Sequence, residues 1–250
     1  MGRATLTDMG AMTDLSCATG VAGTSPALTA YTARPPGRER VPGVVVLHEG
    51  FGLDDVTRRH ADRLASLGYL VIAPDLFTGG GTLRCLRASV LAMRRGEGQP
   101  FQDIAAARQW LLDRDDCTGR VGVIGFCMGG AFALLCATGR GFDVSSANYG
   151  MLPQTPEMLR GACPVVASYG GRDKLLTGAA GKLNRALTRL GVEHDVKEYP
   201  AAGHQFMNDA ENAPWFLRPV LRLSTAGPEP DSAADAWARI DGFFSRHLRG

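Results

Sequence analysis

Apolar positions along the chain alternate between two periods, and this alternation predicts strands that are followed by helices. The β-branched run Val44–His48 is typical of a buried strand, and Asp54–Leu67 repeats apolar residues at helical spacing. Further strands are predicted at Leu70–Ala73, Val121–Gly125, Pro164–Tyr169 and Asp195–Tyr199, and further helices at Ile104–Leu111, after Met128, at Leu183–Leu190 and at Trp237–Leu248. This order indicates an α/β fold with a mostly parallel sheet flanked by helices on both faces.

The two ends of the pattern are less regular than its middle. Thr24–Arg34 alternates loosely and suits an early antiparallel strand or hairpin, whereas residues 1–23 are expected to form a poorly defined segment. Pro214–Pro230 is one long irregular section, and loops of that length are often functional. Because no repeat or internal linker divides the pattern, we expect a single domain over residues 1–250.

The composition of the chain excludes several classes of function. Its 27 basic and 25 acidic residues are mixed along the sequence, so no basic stripe is available for nucleic acid. No apolar stretch reaches the roughly 18 residues that a membrane span needs, and no secretion signal precedes the pattern. Six scattered cysteines without a Cys-x-x-Cys pair fit a reducing compartment. We therefore expect a cytoplasmic globular protein, a monomer or weak homodimer, that contacts neither nucleic acid nor membranes.

The segment Gly-Phe-Cys-Met-Gly at residues 125–129 lies between a predicted strand and a predicted helix. In this context the segment indicates a nucleophile elbow with Cys127 in the place of the usual serine. Both glycines suit the sharp turn, because side chains there would collide with neighbouring backbone. The start of the following helix favours a thiolate, and the Met128 N–H would point at a developing oxyanion. Taken alone, Cys127 fits a small buried thiol equally well.

Two further residues follow predicted strands in the order that a nucleophile, an acid and a histidine take in hydrolases of this fold. Asp173 comes after the strand Pro164–Tyr169, and His204 comes after the strand Asp195–Tyr199. Loops at the carboxyl edge of a parallel sheet open onto one crevice, so we expect both residues near Cys127. Separately, Asp173 fits a turn former and His204 an ordinary loop histidine; together they predict a Cys-His-Asp triad.

Four segments together resemble the dienelactone hydrolase family: residues 48–52 (His-Glu-Gly-Phe-Gly), 125–130, 171–173 and 202–206 (Ala-Gly-His-Gln-Phe). The resemblance implies an α/β-hydrolase fold, hydrolysis of a small ester or lactone, and no metal or organic cofactor. It also implies that Cys127 attacks the acyl carbonyl, that His204 transfers protons, and that Asp173 holds the imidazole in its working tautomer. The expected partner is therefore a small-molecule ester or lactone.

Glu49 and its neighbours receive roles from the same resemblance. Glu49 matches a family glutamate that takes the thiol proton in the resting enzyme, although an ordinary loop carboxylate is the alternative. The Gly50 N–H is the expected second oxyanion donor beside that of Met128, because the loop after this strand normally supplies one. His48 and Phe51 are candidate walls of the substrate pocket, and His48 fits a structural hydrogen bonder equally well.

The chain departs from the family pattern at Asn208. The family member that gives the group its name has there one of two arginines that grip the carboxylate of the lactone, and a neutral amide provides no such charged clamp. Asn208 remains a candidate substrate contact, and Arg218 and Arg222 are candidate replacements for the missing charge. Thioester hydrolysis, acyl transfer, and a non-catalytic small-molecule binder on the same scaffold are the alternatives to ester or lactone hydrolysis.

Overall fold

The computed structural model describes residues 10–16, 20–37, 39–210 and 226–250. These residues contain eight strands, β1 (Gly10–Asp14), β2 (Thr29–Ala33), β3 (Val41–Leu47), β4 (Leu70–Pro74), β5 (Cys117–Phe126), β6 (Val144–Asn148), β7 (Val165–Gly170) and β8 (His194–Tyr199). They form one sheet in the order β1-β2-β4-β3-β5-β6-β7-β8. The strands from β4 through β8 in this order pair in parallel, which confirms the predicted mostly parallel sheet.

The antiparallel part of the sheet lies at one end. Strand β2 pairs antiparallel with β4 and also with β1, which confirms the early antiparallel strand predicted within Thr24–Arg34. The prediction for residues 1–23 was wrong for Gly10–Asp14, because this short segment forms strand β1. Its hydrogen bonds to β2 hold it in place, although its own side chains show no strong apolar pattern.

Helices cover both faces of the sheet, as predicted. The described helices are α1 (Asp55–Ser66), α2 (Thr82–Arg95), α3 (Gln99–Leu112), α4 (Met128–Cys136), α5 (Ala179–Leu190) and α6 (Pro230–Leu248). Successive side chains of β3 point to opposite faces: Val45 and Leu47 pack with α3 and α4, whereas Val44 and Val46 pack with α1 and α6. None of the described helices is long and apolar enough to cross a bilayer.

Strand β6 was not predicted from the sequence. Its residues are Val-Ser-Ser-Ala-Asn, and both serines are fully buried between β5 and β7. The Ser145 hydroxyl donates to the carbonyl of Ala133 at 2.8 Å, which satisfies it inside the protein. Such internal bonding lets a polar pentapeptide occupy the middle of the sheet. The carboxyl end of β6 therefore brings Asn148 and Tyr149 beside the predicted elbow.

Candidate active site

Cys127 lies in a sharp turn between β5 and α4, as predicted. Its backbone has φ 52° and ψ −113°, a conformation that side chains rarely adopt, and its N–H donates to the carbonyl of Asn148 at 3.0 Å. A Cβ atom on Gly125 would overlap the carbonyl group of Gly129, and one on Gly129 would overlap the carbonyl of Leu47. The turn therefore requires glycine at both positions, and it leaves the half-buried Cys127 at the start of α4.

The structure brings the side chains of Asp173 and His204 together. His204 Nδ1 lies 2.6 Å from one carboxylate oxygen of Asp173, and the N–H of Leu175 donates to the other at 3.0 Å. Asp173 is 1% exposed and His204 is 6% exposed. Because both carboxylate oxygens have partners, the Asp173 side chain is fixed and orients the imidazole.

The loops that carry these two residues are held together by backbone contacts. The N–H groups of Gly171 and Arg172 donate to the carbonyls of Tyr199 and Ala202, at 2.8 and 2.9 Å. A Cβ atom on Gly170 would overlap the carbonyl of Gly203, so only glycine permits this approach. The distance between Asp173 and His204 thus depends on two loops that fold as one unit.

His204 also interacts with the side chain of Cys127, so the three side chains lie next to one another. Burial lowers the pKa of His204, but the interactions with Asp173 and Cys127 outweigh it and raise the pKa to about 10. An imidazolium is therefore favoured next to Cys127. The first turn of α4 places positive partial charge near the same sulfur. The arrangement suits a thiolate–imidazolium pair.

Glu49 is 2% exposed and lies in the loop after β3. Gln205 Nε2 donates to its Oε2 at 2.5 Å, and Asn208 Nδ2 lies 3.3 Å from each of its oxygens. Both amides belong to the loop that carries His204. Two side chains that follow the histidine therefore hold the carboxylate of Glu49 in place.

The side chains of Asn208 and His48 are hydrogen-bonded to protein groups. The carbonyl oxygen of Asn208 accepts from Tyr149 at 3.1 Å and contacts His60 at 3.3 Å, so the amide is fully used within the protein. His48 is completely buried; its Nδ1 lies 2.6 Å from the Glu49 carbonyl, and its Nε2 accepts from the Leu76 N–H at 3.0 Å. Of the two interpretations of His48, the structural hydrogen bonder fits these contacts.

The remaining predicted site residues lie around the same crevice or outside the described residues. Met128 is the first residue of α4, and Leu86 of α2 lies beside Gly50. Phe51 is half-buried in the turn that follows. Their roles stay predictions. Arg218 and Arg222, with most of the Pro214–Pro230 section, lie outside the described residues; just after them, the Gly227 N–H donates to the carbonyl of His204 at 2.9 Å.

Three residues of this site were not selected from the sequence as candidates. Gln205 directly follows His204 and has φ 61°, which turns its side chain toward Glu49. Tyr149 follows the unpredicted strand β6 and packs against the His204 ring at 5.2 Å between centroids. His60 lies on α1, within the helix predicted at Asp54–Leu67, and is buried. Tyr149 directly follows strand β6, so prediction of this strand from the sequence would have indicated Tyr149 as a site residue.

His60 is expected to make the protein less stable in acid. Burial lowers its pKa from 6.5 to about 4, so the unfolded chain takes up this proton at a higher pH than the folded protein. The contribution of neutral His60 to the free energy of unfolding is fully present above pH 6.5 and is lost as the pH falls toward 4. Urea unfolding should be measured for wild type and for His60→Gln, whose side chain does not titrate. Between roughly pH 8 and pH 4.5, the free energy of unfolding of wild type should fall by about 2.5 kcal/mol more than that of the variant. A pH-independent difference would contradict this.

The chain is similar in sequence to known proteins over most of its length. A protein of Methylorubrum extorquens named "Putative carboxymethylenebutenolidase" is 29% identical over 241 residues, covering 88% of this chain and 77% of the relative. A protein of the same name from Escherichia coli K12 is 27% identical over 238 residues, covering 88% of this chain and 83% of the relative.

Solved structures show the same fold. A dienelactone hydrolase-like promiscuous phosphotriesterase from metagenomic libraries superposes with a TM-score of 0.73 at 24% identity, over 96% of this chain and 100% of the other. The dienelactone hydrolase of Anabaena variabilis superposes with a TM-score of 0.68 at 20% identity, also over 96% and 100%. Residues 28–248 match the dienelactone hydrolase family, which confirms the resemblance seen in the sequence. The chain therefore belongs to the dienelactone hydrolase family.

Proposed function

We propose that this protein hydrolyses small esters or lactones through an acyl-cysteine intermediate on Cys127. Membership of the family makes the chain a hydrolase of the carboxymethylenebutenolidase type. The observation that supports the cysteine mechanism is the chain of contacts from Asp173 through His204 to Cys127, with 2.6 Å between the carboxylate and the imidazole. This geometry meets the need of a nucleophile for an adjacent base that a third group orients.

In the first half of the reaction, the sulfur of Cys127 attacks the acyl carbon and a carbon–sulfur bond forms. The carbonyl oxygen becomes an oxyanion, for which the N–H groups of Met128 and Gly50 are the proposed donors. The tetrahedral intermediate collapses, the carbon–oxygen bond to the leaving group breaks, and His204 gives its proton to the leaving oxygen. In a lactone the leaving group stays attached to the acyl chain.

In the second half, a water molecule attacks the thioester of the acyl-cysteine. His204, now neutral, removes a proton from this water, and the Asp173 carboxylate stabilises the imidazolium that results. The carbon–sulfur bond then breaks, which releases the carboxylic acid and returns the thiolate–imidazolium pair. Glu49 is the proposed second base, which accepts the thiol proton when Cys127 is protonated and His204 is neutral.

The acyl-cysteine can be trapped directly. Rapid acid quenching after mixing with p-nitrophenyl acetate, followed by peptide mass mapping, should show acetyl on the peptide that contains Cys127. Cys136 and Cys163 are internal controls, because burial raises the pKa of each thiol to about 12 and keeps it protonated. Turnover with acetyl on another residue, or with none on Cys127 during a pre-steady-state burst, would contradict the mechanism.

The substrate class is best decided by comparing turnover of dienelactone, neutral aryl esters and acyl thioesters. Asn208 is committed to Glu49, Tyr149 and His60, so we propose that it makes no contact with a substrate carboxylate. Neutral esters are therefore expected to be turned over at least as well as anionic lactones. Preference for thioesters would favour the alternative of thioester hydrolysis.

A further inference from the structure

The amide of Asn208 has one orientation that its neighbours allow. Its Nδ2 contacts both oxygens of Glu49, and its Oδ1 contacts the hydroxyl of Tyr149 and Nε2 of His60. A flipped amide would turn its oxygen toward the carboxylate and its NH2 group toward two donors. An ionised Glu49 can only accept, so Asn208 donates to it, and the Asn208 oxygen accepts from Tyr149 and from His60.

His60 is held rigidly for this task. Its ring stacks on Phe126, the residue before the nucleophile, with centroids 4.2 Å apart and planes 21° apart, and it also packs against Trp237 at 5.4 Å. The side chain is 6% exposed. At neutral pH the ring is neutral and carries its one proton on Nε2, as the contact with Asn208 requires. Helix α1 and strand β5 thus present a single fixed donor.

Tyr149 is the second donor and has an unusual backbone. Its φ is 40°, which is rare for an aromatic residue, and it is fully buried. Burial, with the nearby charges of Glu49 and Cys127, raises the pKa of the phenol well above its usual value, so the hydroxyl keeps its proton. The strained turn after β6 directs this hydroxyl to Asn208 and to the carboxylate of Glu49.

We propose that His60 and Tyr149 are positioning residues that hold the Glu49 carboxylate ionised and oriented beside Cys127, His60 through Asn208 and Tyr149 both through Asn208 and by its own contact with Glu49. The two donors fix the amide, and the amide fixes the carboxylate. Neither residue touches the substrate. The inference rests on the proposed function, because it assigns these residues to the proton chemistry of Cys127 and Glu49.

A double-mutant cycle tests the linkage. His60→Phe keeps an aromatic ring but loses the donor, and Asn208→Ala removes the amide. Each variant is expected to lower kcat for an aryl ester by about tenfold or more, with little change in KM, as is typical for loss of an orienting hydrogen bond. The double variant should be no slower than Asn208→Ala alone, because His60→Phe keeps the ring that stacks on Phe126 and loses only the donor to Asn208. Tyr149→Phe also loses the contact with Glu49, so it should be at least as slow as His60→Phe.

The pH profile gives a readout that a purely structural role would not move. Loss of the amide donors makes the ionised form of Glu49 less favourable, so the acidic limb of kcat/KM should shift to higher pH by about one unit in His60→Phe and Asn208→Ala. The other charged or titrating groups near these side chains are unchanged in both variants: Asp54, Arg63, Cys127, Asp173, His204 and Asp209.

Two controls accompany the cycle. His60→Gln retains an N–H donor and is expected to restore kcat to within about threefold of wild type. Tyr69→Phe removes a hydroxyl from another fully buried tyrosine, which bonds Asp241 and Ser245, and should leave the pH profile unchanged. Urea unfolding of each variant verifies that rates refer to folded protein.

Additive effects of His60→Phe and Asn208→Ala, or an acidic limb that does not move, would overturn the inference. The same holds if His60→Gln is as slow as His60→Phe. Cys127→Ala, measured alongside, distinguishes failure of this inference from failure of the proposed function. Wild-type turnover by Cys127→Ala would contradict the cysteine mechanism. Loss of turnover in Cys127→Ala, together with additive effects of the other two substitutions, would contradict the positioning role alone.

Discussion

Replacing Cys127 with alanine is expected to lower kcat for ester hydrolysis by about 10⁴-fold or more. The thiol is the only nucleophilic side chain within residues 125–129, so His204 would have no nucleophile to activate there. Loss of the nucleophile in a related type of triad costs on the order of 10⁶-fold in kcat. The fold should survive, because Cys127 is half-buried and alanine is smaller. Steady-state kinetics with p-nitrophenyl esters measure the loss.

Cys163→Ala is the matched control for removal of a thiol. Cys163 packs against the side of the sheet covered by α5, and its pKa is raised to about 12 by burial, so it takes no part in acyl transfer. We expect kcat of this variant to stay within about twofold of wild type. Cys127→Ala retaining more than about a tenth of wild-type activity would exclude the acyl-cysteine mechanism.

Gly125→Ala is expected to lower the free energy of unfolding by more than about 3 kcal/mol, since overpacking against rigid backbone belongs to the costly class of substitutions. The added methyl group would overlap the carbonyl of Gly129, which is main chain at the start of α4 and cannot rotate away. Relief requires α4 to move off β5, which displaces Cys127. Urea unfolding at neutral pH measures the change in stability, and esterase activity should fall with it.

Gly242→Ala shows what the same substitution does where space is available. Gly242 lies inside helix α6, and a Cβ atom there would have no neighbour within 4 Å. Alanine is the better helix former, so we expect a gain of about 0.5 to 1 kcal/mol in the free energy of unfolding. Equal stability of the two variants would show that the elbow is not sterically closed at Gly125.

Local patterns were sufficient for much of the fold. The β-branched run Val44–His48 predicted β3, and the periodic apolar residues of Trp237–Leu248 predicted α6, because each element buries a face that its own spacing defines. Strand β6 was missed since its serines are buried with internal hydrogen bonds, which no apolar pattern announces. Strand β1 was missed because pairing with β2 holds it.

The sequence by itself determined the elbow and the order of Cys127, Asp173 and His204, because glycine spacing and strand ends are local features. The tertiary structure decided how the site is supported. Asn208 and His60 are 148 residues apart in the chain, and their contact arises only when α1 packs beside the histidine loop. Such contacts depend on packing between distant elements and cannot be predicted from local sequence. The position of Asn208 after the histidine made it a candidate substrate contact, whereas the structure shows it bonded to Glu49.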